Sequence, residues 1–168
     1  DMAPYTTTTV ELVQAFGHTP ERAAILRGLI SYRSQLRNQG IDGTQWIAGS
    51  LLEDCEKQRS RPPADVDVVT FGYRPTGAQD NSSWQQFVYN NRIALFDRTA
   101  VKTAYACDAF YVDMHLHPEM LVSSSRYWFG LFSHQRVTDA WKGIVSLPLS
   151  DNDQAALSIL SGGVSNAP

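Results

Sequence analysis

Asp65 and Asp67 stand one residue apart at the start of a valine-rich run. On a strand, alternate residues point the same way, about 6.5–7 Å apart. Both carboxylates then project together, while Val66 and Val68 turn toward a core. Carboxylates held side by side repel unless something cationic lies between them. Magnesium or manganese takes such oxygen donors and keeps positions for water and substrate phosphate, the arrangement used in metal-assisted phosphoryl chemistry. The plain alternative is a solvated strand end. Asp151-Asn152-Asp153 repeats the spacing and reads as a helix cap.

Gly49-Ser50 is a second candidate, placed between a short strand and a short helix. Backbone N–H groups at a helix start favour phosphate, and glycine permits close approach. An ordinary turn has the same composition. The third is the run from Tyr111 to His117, YVDMHLH. Alternation puts Tyr111, Asp113, His115 and His117 on one face and Phe110, Val112, Met114 and Leu116 on the other. Asp113 could join Asp65 and Asp67 if the strands are neighbours. His115 and His117 line a cleft in one reading and ligate zinc in another, His-x-His being a usable ligand pair.

The elements that must position these groups follow from local pattern. Residues 1–9 read as a polar tail leading into a helix over 10–16. Thr19-Pro20-Glu21 starts the next helix with a capping hydroxyl, a first-turn proline and an acid at the positive end of the dipole. Ile25, Leu26, Leu29, Ile30 and Leu36 continue it at helical spacing until residues 38–40. Arg22, Arg27, Arg33 and Arg37 lie mostly off that stripe and read as a solvated face.

Residues 44–48 predict a strand, 51–57 a brief helix, and 59–64 a loop around Pro62-Pro63. Residues 66–71 are strongly β, and 72–83 read as loop. Helices are expected over 84–89 and 98–106, a strand over 109–116, and a mixed segment over 118–132. A last strand is expected over 141–149, and a capped helix over 151–160 before a tail at 161–168. This order predicts an α/β or α+β fold, one mixed sheet flanked by helices in a single domain.

Composition agrees with a packed domain. The 168 residues are 43% apolar and 18% charged, and 14 basic against 17 acidic residues leave a formal charge of −3, so no global field announces nucleic acid or membrane. Cys55 and Cys107 are too few and too far apart for a disulfide framework or a zinc spacing. No stretch approaches the roughly 20 apolar residues of a membrane span. The N-terminus carries no leader pattern, and a cytoplasmic location is expected. Trp84, Trp128, Phe129, Phe132 and Trp141 read as core, with an interface or base-stacking surface as the other use.

Together, Ile47-Ala48-Gly49-Ser50, Asp65-Val66-Asp67-Val68-Val69 and Val112-Asp113 resemble the nucleotidyltransferase superfamily of DNA polymerase beta-like enzymes. That pattern is a strand, Gly-Ser or Gly-Gly, a short helix, Asp-x-Asp on the next strand, and a third acid on a later one. Residues 46–71, and 132–145 with Arg136 and Lys142-Gly143-Ile144, are similar to a small bacterial and phage branch of it. The resemblance covers about two thirds of the chain, with a long gap from Ser50 to Asp65 and no added helical domain.

It implies a minimal nucleotidyltransferase-type domain. Gly49 and Ser50 would hold a nucleoside triphosphate. Asp65, Asp67 and Asp113 would bind magnesium or manganese, with Asp113 helping to deprotonate the attacking hydroxyl. Arg136 and Lys142 would contact phosphate, an assignment from charge. The acceptor would be RNA such as tRNA, a protein hydroxyl or another nucleotide, and a toxin or phage-defence role is common among small members. Two other readings stay open: a silent binding module of the same fold (antitoxin, sensor or subunit), and a zinc hydrolase built on His115, His117 and an aspartate.

Overall fold

The computed structural model describes residues 3–135 and 140–162. Its elements are β1 Tyr5–Thr6, α1 Thr9–Phe16, α2 Pro20–Asn38, β2 Asp42–Ala48, α3 Cys55–Arg59, β3 Val66–Tyr73, α4 Asn81–Asn90, α5 Arg98–Tyr105, β4 Cys107–Asp113, α6 Pro118–Phe132, β5 Val145–Pro148 and α7 Asp153–Ser161. The fold is mixed α/β around one sheet, ordered β1-β5-β2-β3-β4. β2 runs antiparallel to β3 and β5, whereas β1–β5 and β3–β4 are parallel pairs. Among the described residues no helix is long and apolar enough to cross a membrane.

The helices begin where short polar side chains satisfy orphan N–H groups. Thr8 and Glu11 form a reciprocal capping box on α1. Thr19 accepts from the Arg22 backbone N–H with Pro20 in the first turn of α2. Asp80, Asp97 and Asn152 do the same for α4, α5 and α7. The expected cap in Asp151-Asn152-Asp153 is therefore Asn152. Its neighbours have other tasks: Asp151 accepts from the Thr9 N–H and hydroxyl, and Asp153 is buried against Arg33.

Strand alternation divides the core in two. Ile47, Val66, Val68, Cys107 and Ala109 face one side, where Leu26, Leu29, Ile30 and Leu36 of α2 pack with α5 and α7. Ala48, Val69, Phe71 and Val112 face the other, covered by Phe132 and flanked by Trp46, Phe110, Trp128 and Phe129. Each fully buried aliphatic side chain contributes about 1.5–3 kcal/mol. Cys55 and Cys107 are buried free thiols.

Four expectations are corrected. Tyr5–Thr6, read as tail, is a strand because β5 supplies its ladder partners at Val145 and Ser146. The helix expected over 51–57 is a 3₁₀ turn, Ser50–Leu52, followed by α3. The strand expected over 109–116 begins two residues earlier and ends at Asp113. Finally, Arg22 and Arg33 are buried rather than solvated.

Arg22 donates to the Leu51 and Glu53 carbonyls and to both Glu56 oxygens. Arg33 donates to Asp153, to Gln45 Oε1 and to the Pro148 carbonyl. It thereby ties α2 to α7, β2 and β5, with Arg37 adding a 2.7 Å pair to Asp153.

Candidate functional site

The register of three strands assembles the site. Ala48, the last residue of β2, pairs with Asp67, and Asp67 pairs in parallel with Asp108. Paired residues on adjacent strands share a sheet face, with backbones about 4.8 Å apart. Asp67 and Asp108 therefore stand side by side on the face that α6 covers. Asp65 precedes β3 and lines the same cleft, a space of about 510 Å³ that also touches Gly49, Ser50, Glu53, Arg59, Arg61, Lys102 and Lys142.

Gly49 closes one wall. Its φ of 87° is left-handed, a region glycine enters without steric cost. A Cβ there would come 2.7 Å from Asp67 Oδ2 and 3.1 Å from its backbone nitrogen. No other residue type fits the turn while Asp67 keeps its position. Because only a three-residue 3₁₀ turn follows, Gly49-Ser50 offers local backbone groups and a hydroxyl, not the dipole of a full helix.

Two cations on α5 reach the acids. Lys102 is ion-paired with Asp65 and lies 4.0 Å from Asp108. Arg98 grips Asp108 with two donors, Nε to Oδ1 and Nη2 to Oδ2, the latter at 2.6 Å. These bonds raise the Lys102 ammonium and the Arg98 guanidinium above their ordinary pKa values, Asp65 being the main cause for the first and Asp108 for the second. Across the cleft, Glu53 is nearly buried yet accepts from Arg59 at 2.8 Å and pairs with Lys142 at 3.5 Å.

The expected third acid, Asp113, is not brought to the pair. It is the register partner of Gly72, not of Asp67. Five residues beyond Asp108, it lies about 16 Å further along β4, and odd spacing turns it to the opposite sheet face. There Arg74 holds it through two donors at 2.7 and 2.9 Å. Arg74 also bonds the Gln79 carbonyl and Asn81, so Asp113 anchors the connection from β3 to α4. Lys142 lines the cleft, whereas Arg136 lies outside the described residues. His115 and His117 are exposed, and His115 Nε2 meets Gln79 Oε1 at 3.0 Å.

The donors in the cleft are carboxylate oxygens, without imidazole or thiolate among its described lining residues. That set fits a hard divalent cation such as magnesium or manganese. As placed, no three His, Cys, Asp or Glu side chains among the described residues close around one point. The oxygens of Asp65 and Asp108 instead meet Lys102 and Arg98. Negative charge at the centre and positive charge on the rim suit a polyanion carried with a cation.

A family model, described as a family of unknown function (DUF6932), matches residues 2–148. The chain belongs to that family. Gly49, Asp65, Asp67, Arg98, Lys102, Asp108 and Lys142 all fall within the span that DUF6932 covers, whereas α7, with its buried Asp153, lies beyond it. No curated protein and no solved structure matches the chain.

Asp108, Glu53, Arg98 and Lys102 were not singled out in the sequence. The alternation Asp108, Phe110, Val112 carried a signal for Asp108. The i, i+4 spacing of Arg98 and Lys102 marked one helical face. Nothing local distinguished Glu53.

Proposed function

We propose that this chain is a metal-dependent nucleotidyltransferase with Asp65, Asp67 and Asp108 as its acidic centre. The observation that carries the reading is the register pairing of Asp67 with Asp108 beside the left-handed Gly49. Strand, Gly-Ser, paired acids on the next strand and an acid on a later strand follow in the order of the superfamily resemblance, with Asp108 in the place first given to Asp113. The α2-β2-α3-β3-α4-α5-β4 succession is consistent with it.

Magnesium or manganese, held by these three carboxylates, would supply neutralising charge to a triphosphate. Gly49 admits a phosphate close to the backbone, and Ser50 adds a hydroxyl. Arg59, Arg61 and Lys142 offset the remaining phosphate charge. Glu53 fixes Arg59 and Lys142 so that less ordering is left for binding. An acceptor hydroxyl attacks the α-phosphorus, its proton passes to a carboxylate of the cluster, and the bond to pyrophosphate breaks. The acceptor classes are RNA, a protein hydroxyl or a nucleotide.

A second reading, a binding module of the same fold without turnover, draws on one observation: Lys102 and Arg98 already neutralise Asp65 and Asp108. One experiment separates the two. The protein is incubated with α-labelled triphosphates, magnesium and total RNA or lysate, alongside calorimetric titration with the same triphosphates. Transfer of label that Asp67→Asn abolishes supports the enzyme. Binding without transfer supports the module. No binding at millimolar triphosphate overturns both.

A further inference from the structure

We propose that the aromatic recess beside the acids is a nucleobase subsite that holds the planar ring of the substrate by stacking and does not select one base. This rests on the nucleotidyltransferase reading. The recess has a volume of about 170 Å³ and shares Asp67, Asp108 and Lys142 with the main cleft. Phe110, Tyr127, Trp128 and Leu131 form its apolar wall. A molecule whose phosphates lie at Gly49 and the acids is therefore one shared wall, Asp67, Asp108 and Lys142, from the aromatic rings.

The wall is built for a ring. Trp128 lies 4.5 Å from Phe110, and Tyr127 meets Trp128 edge-on at 5.0 Å. The Arg98 guanidinium, fixed by Asp108, sits 4.6 Å from the Phe110 centroid. Aromatic faces and guanidinium planes are the two surfaces on which bases stack. Tyr127 is 61% exposed and Leu131 43% exposed, both directed at this recess rather than into the core. Base selection needs several polar groups placed to read ring edges. Of the polar groups lining this recess, the proposed function commits Asp67 and Asp108 to the metal and Lys142 to phosphate, and Arg98 lies against the Phe110 face, which leaves the Tyr127 hydroxyl on an exposed side chain. Stacking then dominates, and every base has a face to offer.

The test titrates the full chain, with magnesium, against ATP, GTP, CTP, UTP and inorganic tripolyphosphate by calorimetry. All four nucleotides are expected to bind about tenfold or more tightly than tripolyphosphate, stacking on one or two rings being sufficient for that ratio. Tyr127→Ala, at an exposed position, is expected to weaken nucleotide binding about tenfold and leave tripolyphosphate binding unchanged. Equal affinity for tripolyphosphate and nucleotides overturns the subsite while leaving the phosphate site standing. So does a Tyr127→Ala variant that binds nucleotides normally. A strong preference for a single base overturns the tolerance. If neither class of ligand binds, the subsite falls together with the nucleotidyltransferase reading.

Discussion

Asp108 stands beside Asp67 across the parallel ladder of β3 and β4, whereas Asp113 of the same strand faces the other side of the sheet. The two acids of β4 should therefore answer differently to substitution. Asp67→Asn and Asp108→Asn are expected to lower label transfer at least a hundredfold with a folded protein. Asp113→Asn is expected to keep transfer and lose stability, by about 1–3 kcal/mol, since it weakens the charge-assisted bonds of the partly buried Arg74 guanidinium. Transfer assays and urea denaturation of all three variants check this. Loss of transfer in a stably folded Asp113→Asn protein would refute the assignment.

Gly49→Ala is expected to weaken triphosphate binding by an order of magnitude or more and to cost about 1–2 kcal/mol of stability, from left-handed strain together with the clash at Asp67. Calorimetry and thermal melting measure the two effects. A variant that binds as wild type would show that the turn does not shape the cleft.

Arg33→Met removes the guanidinium that joins α2, α7, β2 and β5 and leaves Asp153 with Arg37 as its remaining ion-pair partner. Breaking a buried pair in this way costs about 3–5 kcal/mol. The denaturant midpoint should fall accordingly, with an unchanged slope. Arg33→Lys should recover little, since one ammonium cannot reach Asp153, Gln45 and the Pro148 carbonyl together.

Glu56 supplies a pH dependence. The Arg22 guanidinium bonded to it lowers its carboxyl from the ordinary 4.5 to about 2. A carboxyl lowered on folding contributes stability that is complete above its unfolded value and is lost as pH falls through the folded one. The Arg22–Glu56 contribution should therefore be constant above about pH 4.5 and disappear toward about pH 2. Glu56→Gln should flatten the stability profile in that window and leave its slope at neutral pH unaltered. Equilibrium denaturation across the window tests it.

The parts of the fold that were legible in sequence were those set by neighbours in the chain. Thr19-Pro20-Glu21 starts α2 through its own cap, and the β-branched run after Asp65 forms β3. Asp65, Asp67, Gly49, Ser50 and Lys142 do line one cleft. What could not be read depended on remote partners. Arg22 and Arg33 sit on a helix flank that looks solvated until Glu56 and Asp153 arrive from 34 and 120 residues away. Tyr5–Thr6 is a strand only because β5 lies beside it. Asp113 was expected beside Asp65 and Asp67, and Asp108 was passed over, for a local reason. β4 starts at Cys107, and a start read two residues late left Asp108 outside the strand.

β4 is the last strand of its sheet, the position most free to shift past its neighbour. A displacement of one residue would rotate Asp108 away from Asp67 and carry Asp113 with it, since every side chain exchanges faces in such a move. Arginines grip this strand at both ends, Arg98 at Asp108 and Arg74 at Asp113. The two ion pairs work as bolts on a sliding rail: they fix the register that keeps Asp108 beside Asp67 and Asp113 on the opposite face.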